Sequence, residues 1–103
     1  MKVEVFHFDE CPNVTPTVER LKRILAENAL SDPITLVRVG DHAAAQSTRF
    51  LGSPTVRIDG LDIEPSARSR SDFGIICRMY GASGVPSETI IRRAIAEASN
   101  GSQ

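Results

Sequence analysis

Cysteine is scarce in this sequence: Cys11 and Cys77 are the only two among 103 residues. Two thiols are too few for a disulfide scaffold, though enough for a redox pair or part of a soft-metal site. Neither sign of charge dominates, with 12 Lys and Arg against 13 Asp and Glu and a net charge of −1. A nucleic-acid partner, which needs a basic face, is therefore not expected. No apolar run approaches the roughly 20 residues of a membrane span, so no membrane partner is expected either. Met1 to Phe8 alternates instead of forming a continuous apolar stretch and does not read as a signal peptide. The expected location is the cytoplasm, where thiols stay reduced. Gly-x-Gly-x-x-Gly and Gly-x-x-x-x-Gly-Lys-Ser/Thr are both missing, which removes the usual dinucleotide and triphosphate sites, and no cofactor is expected. A Cys-x-x-Cys pair and closely spaced histidines are missing too, so no structural metal site is expected.

What is present reads as one small α/β domain. The length suits a single core; residues 1–99 are expected to form it, with 100–103 as a flexible tail. Lys2 to Phe8 is β-rich and alternates before turning apolar, the pattern of a strand that becomes buried. Asp9 to Thr15 holds loop residues. The helix that follows carries Val18, Leu21, Ile24 and Leu25 on one stripe, with Thr15 expected as its N-cap and Pro16 in its first turn. Ser31-Asp32-Pro33 ends it, and Ile34 to Val39 is a second strand. Asp41 is expected to cap a short helix running to about Leu51, with Gly52 at its C-terminal end. Thr55 to Ile63 reads as a hairpin around Asp59-Gly60. Glu64 to Val85 is the least regular stretch. Pro86 opens a last helix whose stripe is Ile90, Ile91, Ala94, Ile95 and Ala98. The order β-α-β-α-β-β-α predicts a mixed four-stranded sheet with helices on both faces. Its first two strands should be parallel and its last two an antiparallel hairpin.

Two segments stand out in that order. Val5-Phe6-His7-Phe8-Asp9-Glu10-Cys11-Pro12-Asn13 crosses the end of the first strand, and Phe50-Leu51-Gly52-Ser53-Pro54-Thr55-Val56 opens the third. Together they resemble the thioredoxin superfamily, over a span from Lys2 to about Ala98. The chain is most similar to small thioredoxin-like proteins of bacteria, some of which are distantly similar to alkylmercury lyases. The resemblance implies a thioredoxin-like fold, a reactive cysteine at Cys11, a cis-proline at Pro54 packed against it, and a substrate groove made by Pro12, Ser53, Pro54 and Thr55. Two departures stand against it. Val14 occupies the position of the second cysteine of the usual pair, so the standard disulfide cannot close. Val5 occupies about the position of the buried acid that accepts a proton. Neither departure suits a conventional dithiol reductase.

A thiol reacts as its thiolate, which the start of the following helix favours at Cys11 and the neighbouring Asp9 and Glu10 oppose. Cys77, in Ile75-Ile76-Cys77, reads either as buried packing or as a resolving thiol that the irregular segment carries over Cys11. His7 is either a base for Cys11 or a half-buried strand residue. His42 reads as solvated surface. Arg68, Arg70 and Arg78 form either an anion-binding rim or an ordinary charged loop. Phe73 and Tyr80 are expected to anchor that loop to the core. Three functions stay open. One is a monothiol-type thiol–disulfide oxidoreductase, with Cys11 attacking a protein or small-molecule thiol or disulfide and Cys77 resolving. The second is a non-catalytic module holding an extended peptide beside Pro54. The third is a thiol-based protein that binds heavy metals or organomercurials.

Overall fold

Alternation in the first strand sets the layers of the molecule. The computed structural model describes residues 1–101. Its elements run β1 (Val3–His7), α1 (Val14–Glu27), β2 (Ile34–Arg38), α2 (His42–Thr48), β3 (Thr55–Ile58), β4 (Leu61–Asp62), a 3-10 turn (Pro65–Ala67) and α3 (Glu88–Gly101). Val3 and Val5 point to one face of the sheet, where they are buried with Leu21, Ile24 and Leu25 of α1 and Ile91, Ala94 and Ile95 of α3. Phe6 points to the other face and packs with Val39, Ala45 and Phe50 around α2. Each fully buried Leu, Ile or Phe in these clusters contributes about 1.5–3 kcal/mol of transfer free energy. Helices therefore cover both faces, as the sequence predicts.

The sheet order is β2-β1-β3-β4. β1 and β2 are parallel, with Val3 opposite Ile34 and His7 opposite Arg38. β1 and β3 are antiparallel, with Phe6 opposite Thr55, and β4 is antiparallel to β3. The hairpin turn has positive φ at Asp59 (52°) and Gly60 (81°), the backbone that a tight two-residue turn requires. Asp59 also accepts a hydrogen bond from Lys2 N at 2.7 Å, fastening the turn to the start of β1. This register brings the C-terminal ends of β1 and β2 and the approach to β3 together at one end of the sheet. The loop bearing Cys11 and the turn bearing Ser53 and Pro54 both lie there.

Several boundaries differ from expectation, each for a local reason. α1 begins at Val14 with Asn13 at its N-cap, not at Thr15, and the Asn13 side chain makes no capping bond. Pro16 thereby occupies the third helical position, where its missing N–H costs no intrahelical bond. Thr17 replaces Val18 among the fully buried residues of α1, and Val18 is partly buried. Asp41 caps α2 as predicted, accepting from Ala44 N at 2.8 Å. The helix stops at Thr48, however, with Arg49 left-handed at φ 58°, so Gly52 is not its terminator. The Arg57 guanidinium donates to the Thr48 and Arg49 carbonyls at 2.6 and 2.9 Å, which satisfies that helix end. α3 begins at Glu88 after Ser87, whose hydroxyl accepts from Ile90 N at 3.2 Å. It continues through Gly101, into the stretch expected to be tail; 102–103 lie outside the described residues. Among those residues no helix is long and apolar enough to cross a membrane.

Candidate thiol site

Cys11 leaves the end of β1 through a turn at Glu10, whose φ is 66°. Its backbone carbonyl faces Val14 N at 3.4 Å, so the residue sits directly against the first turn of α1. The thiol is free and nearly buried, at 9% exposure. Asp9, beside it in sequence, is turned to Arg38 in an exposed pair at 2.9 Å. His7 is half-buried, and its Nδ1 bonds the Phe8 carbonyl at 3.2 Å.

The approach to β3 is a buried turn. Gly52 has φ 113°, the Ser53–Pro54 peptide is cis as the resemblance implies, and Ser53, Pro54 and Thr55 are all buried. Segment 73–86 wraps this turn like a strap. Gly74 N donates to Phe50 O at 3.0 Å. Ser53 N donates to Ile76 O and Arg78 N to Ser53 O, both at 2.9 Å. These two bonds set Cys77 directly opposite Ser53 in a parallel bridge. Tyr80 donates its hydroxyl to Pro54 O at 2.6 Å. Farther along, a methyl group on Gly84 would overlap the Asn13 side chain, and Arg20 holds Pro86 O at 2.8 Å. The strap thus runs from the end of α2 across Ser53–Pro54 to the start of α1.

Burial along the strap reverses two expectations. Cys77 is free and exposed, not packed in the core. Ile75 and Ile76 are also exposed, at 41% and 48%. Arg78, expected on the rim or in solvent, is 2% exposed. Its guanidinium grips Asp62 in two bonds of 2.6 and 2.8 Å, reaches Glu64 at 2.8 Å and donates to Thr55 Oγ1 at 3.2 Å. Burial opposes its charge, but the bonds to Asp62 prevail and hold its proton above the usual arginine range. Arg68 pairs with Glu97 and Arg70 with Asp72, so all three arginines have carboxylate partners. A strand-like alternation exposes Cys77 and Met79 and buries Arg78 and Tyr80. By hydrophobicity alone the alternation Cys77-Arg78-Met79 would place Arg78 outside, the reverse of what the fold does. Phe73 is only half-buried, under the Arg49 guanidinium at 4.9 Å.

Tyr80 provides an internal reporter, since it is the only tyrosine and there is no tryptophan. Burial pushes its phenol well above the ordinary value of 10.0. A raised folded-state value means that its contribution is complete below pH 10 and is lost as the pH climbs above it, at up to about 1.4 kcal/mol per pH unit. Tyrosinate absorbance is therefore expected to stay absent above pH 10 and to rise together with loss of the far-ultraviolet circular dichroism. A titration near pH 10 with the fold intact would mean that Tyr80 is not held against Pro54.

His42 is exposed. Among the described residues, no group of three or more His, Cys, Asp or Glu gathers as a metal site. A surface cavity of about 250 Å³ lies at the far end of the sheet, between Ile58, Leu61 and Ala94, remote from both thiols. No known protein family, curated protein or solved structure matches this chain.

Proposed function

We propose that this chain is a thioredoxin-like thiol–disulfide oxidoreductase whose working pair is Cys11 and Cys77, with Cys77 supplying the second thiol that Val14 cannot. The observation that carries the reading is the pairing of Cys77 with Ser53, at the sheet end where Cys11 leaves β1. A second thiol on the same chain resolves a mixed disulfide without waiting for another molecule. In the net reaction one substrate disulfide becomes two thiols, and the two protein thiols become one disulfide. The sheet order and the positions of Cys11 and Pro54 support the thioredoxin-like part of the reading. A module holding a peptide along Ser53 is less favoured, because the strap already occupies the main-chain N–H and C=O of that residue.

Oxidising the full chain with diamide, followed by peptide mapping without reduction, tests the pair. A Cys11 peptide linked to a Cys77 peptide is expected, with the link absent from Cys11→Ser and from Cys77→Ser. Recovery of both thiols free, or only of links between chains, overturns it.

A further inference from the structure

The two thiols differ in what can reach them. Cys11 is nearly buried at 9% exposure, whereas Cys77 is exposed. Thiol–disulfide exchange requires the attacking sulfur to meet the disulfide in line, so access decides which thiol acts first. The strap adds a second asymmetry. Ile76 O and Arg78 N face Ser53, which turns the N–H and C=O of Cys77 to the other side. Among the described residues those two groups have no partner. An exposed strand edge with free main-chain groups accepts an extended polypeptide as an added strand.

The surroundings select the kind of polypeptide. Ile75, Ile76 and Met79 flank the thiol at 41%, 48% and 56% exposure. The nearest cation in sequence, Arg78, is buried against Asp62 and Glu64, and Arg68 and Arg70 are paired elsewhere. The strap therefore offers apolar contact and main-chain bonds, with no unpaired arginine of its own for the carboxylates of a small anionic thiol. We infer that Cys77, and not Cys11, attacks the substrate, and that the substrate is a disulfide flanked by apolar residues in an extended polypeptide. The inference rests on the Cys11–Cys77 pair proposed above. The Cys77 thiolate attacks one substrate sulfur; the substrate S–S bond breaks, its far sulfur leaves and takes a proton from solvent, and a Cys77–substrate bond forms. The Cys11 thiolate then attacks Cys77 Sγ, expelling the second substrate thiol and closing the Cys11–Cys77 disulfide. Two electrons pass from protein to substrate in this single turnover.

Trapping distinguishes the order of attack. Each single-serine variant is mixed with a peptide disulfide flanked by leucines, or with glutathione disulfide, and the adduct is mapped by mass spectrometry. Cys11→Ser is expected to capture the peptide on Cys77 at least tenfold faster than Cys77→Ser captures it on Cys11. The peptide should also outpace glutathione disulfide at Cys77. In the unmodified chain, which avoids any folding defect of the variants, brief iodoacetamide treatment should alkylate Cys77 before Cys11. Faster capture or alkylation at Cys11 overturns the order. Faster capture of glutathione disulfide overturns the substrate class. Capture at Cys77 with no Cys11–Cys77 link in the unmodified chain leaves the attack in place and removes the proposed pair instead.

Discussion

Arg78→Met is expected to destabilise the fold by about 3–5 kcal/mol, the usual cost of removing one partner from a buried ion pair. Asp62 is only 7% exposed and would be left buried with neither of its guanidinium bonds. Glu64 has a more exposed side chain, at 23%, and can turn to water, so most of the penalty falls on Asp62. Thr55 Oγ1 also loses a donor. The double variant Arg78→Met/Asp62→Leu should recover most of the loss, because an apolar replacement for a whole buried pair is often neutral. Arg78→Lys should fall between, since an ammonium cannot span Asp62, Glu64 and Thr55 as the planar fork does. Urea unfolding read as a shift in midpoint at constant slope measures all three. A loss under about 1 kcal/mol for Arg78→Met would mean that the pair does not hold the strap.

For Gly52→Ala the expected loss is about 3 kcal/mol, built from two costs. A backbone at φ 113° is one that side-chain-bearing residues avoid, at roughly 1–3 kcal/mol. The added methyl would also meet Ile76 O and Arg78 Cβ at 3.0 Å and Arg78 N at 3.2 Å. Ile76 O and Arg78 N are the backbone atoms that bind the strap to Ser53, and they have little freedom to yield. The strap should loosen there, so the yield of the Cys11–Cys77 disulfide should fall. Gly60→Ala serves as the control. Gly60 has φ 81° but nothing within 4 Å of the added carbon, so it carries the backbone cost alone, about 1 kcal/mol. Equal losses at the two sites would show that close packing at Gly52 contributes nothing.

Legibility in the sequence followed the range of the interactions. Val3, Val5 and Phe6 face opposite cores because side chains alternate along any strand. The stripe on α3 and the Asp59-Gly60 turn are equally local, and they were found where the residues indicated. Helix ends were less legible. Whether α2 stops at Thr48 or at Leu51 turns on the Arg57 side chain reaching two carbonyls from the neighbouring strand. The sequence left Cys77 open between packing and access, because three consecutive apolar residues in an irregular stretch carry no period that separates an inner face from an outer one.

Periodicity and turn chemistry were sufficient to establish the element order, the mixed sheet and the position of Cys11 after the first strand, because those features depend on residues a few positions apart. The exposure of Cys77, the burial of Arg78 and the role of Gly52 were settled by packing between distant segments. Arg78 meets Asp62 across 16 positions and Thr55 across 23. A guanidinium in the sequence looks the same whether it faces water or a carboxylate. Its burial is stable only when the folded chain supplies the partner, so tertiary packing decided which thiol of this protein faces outward.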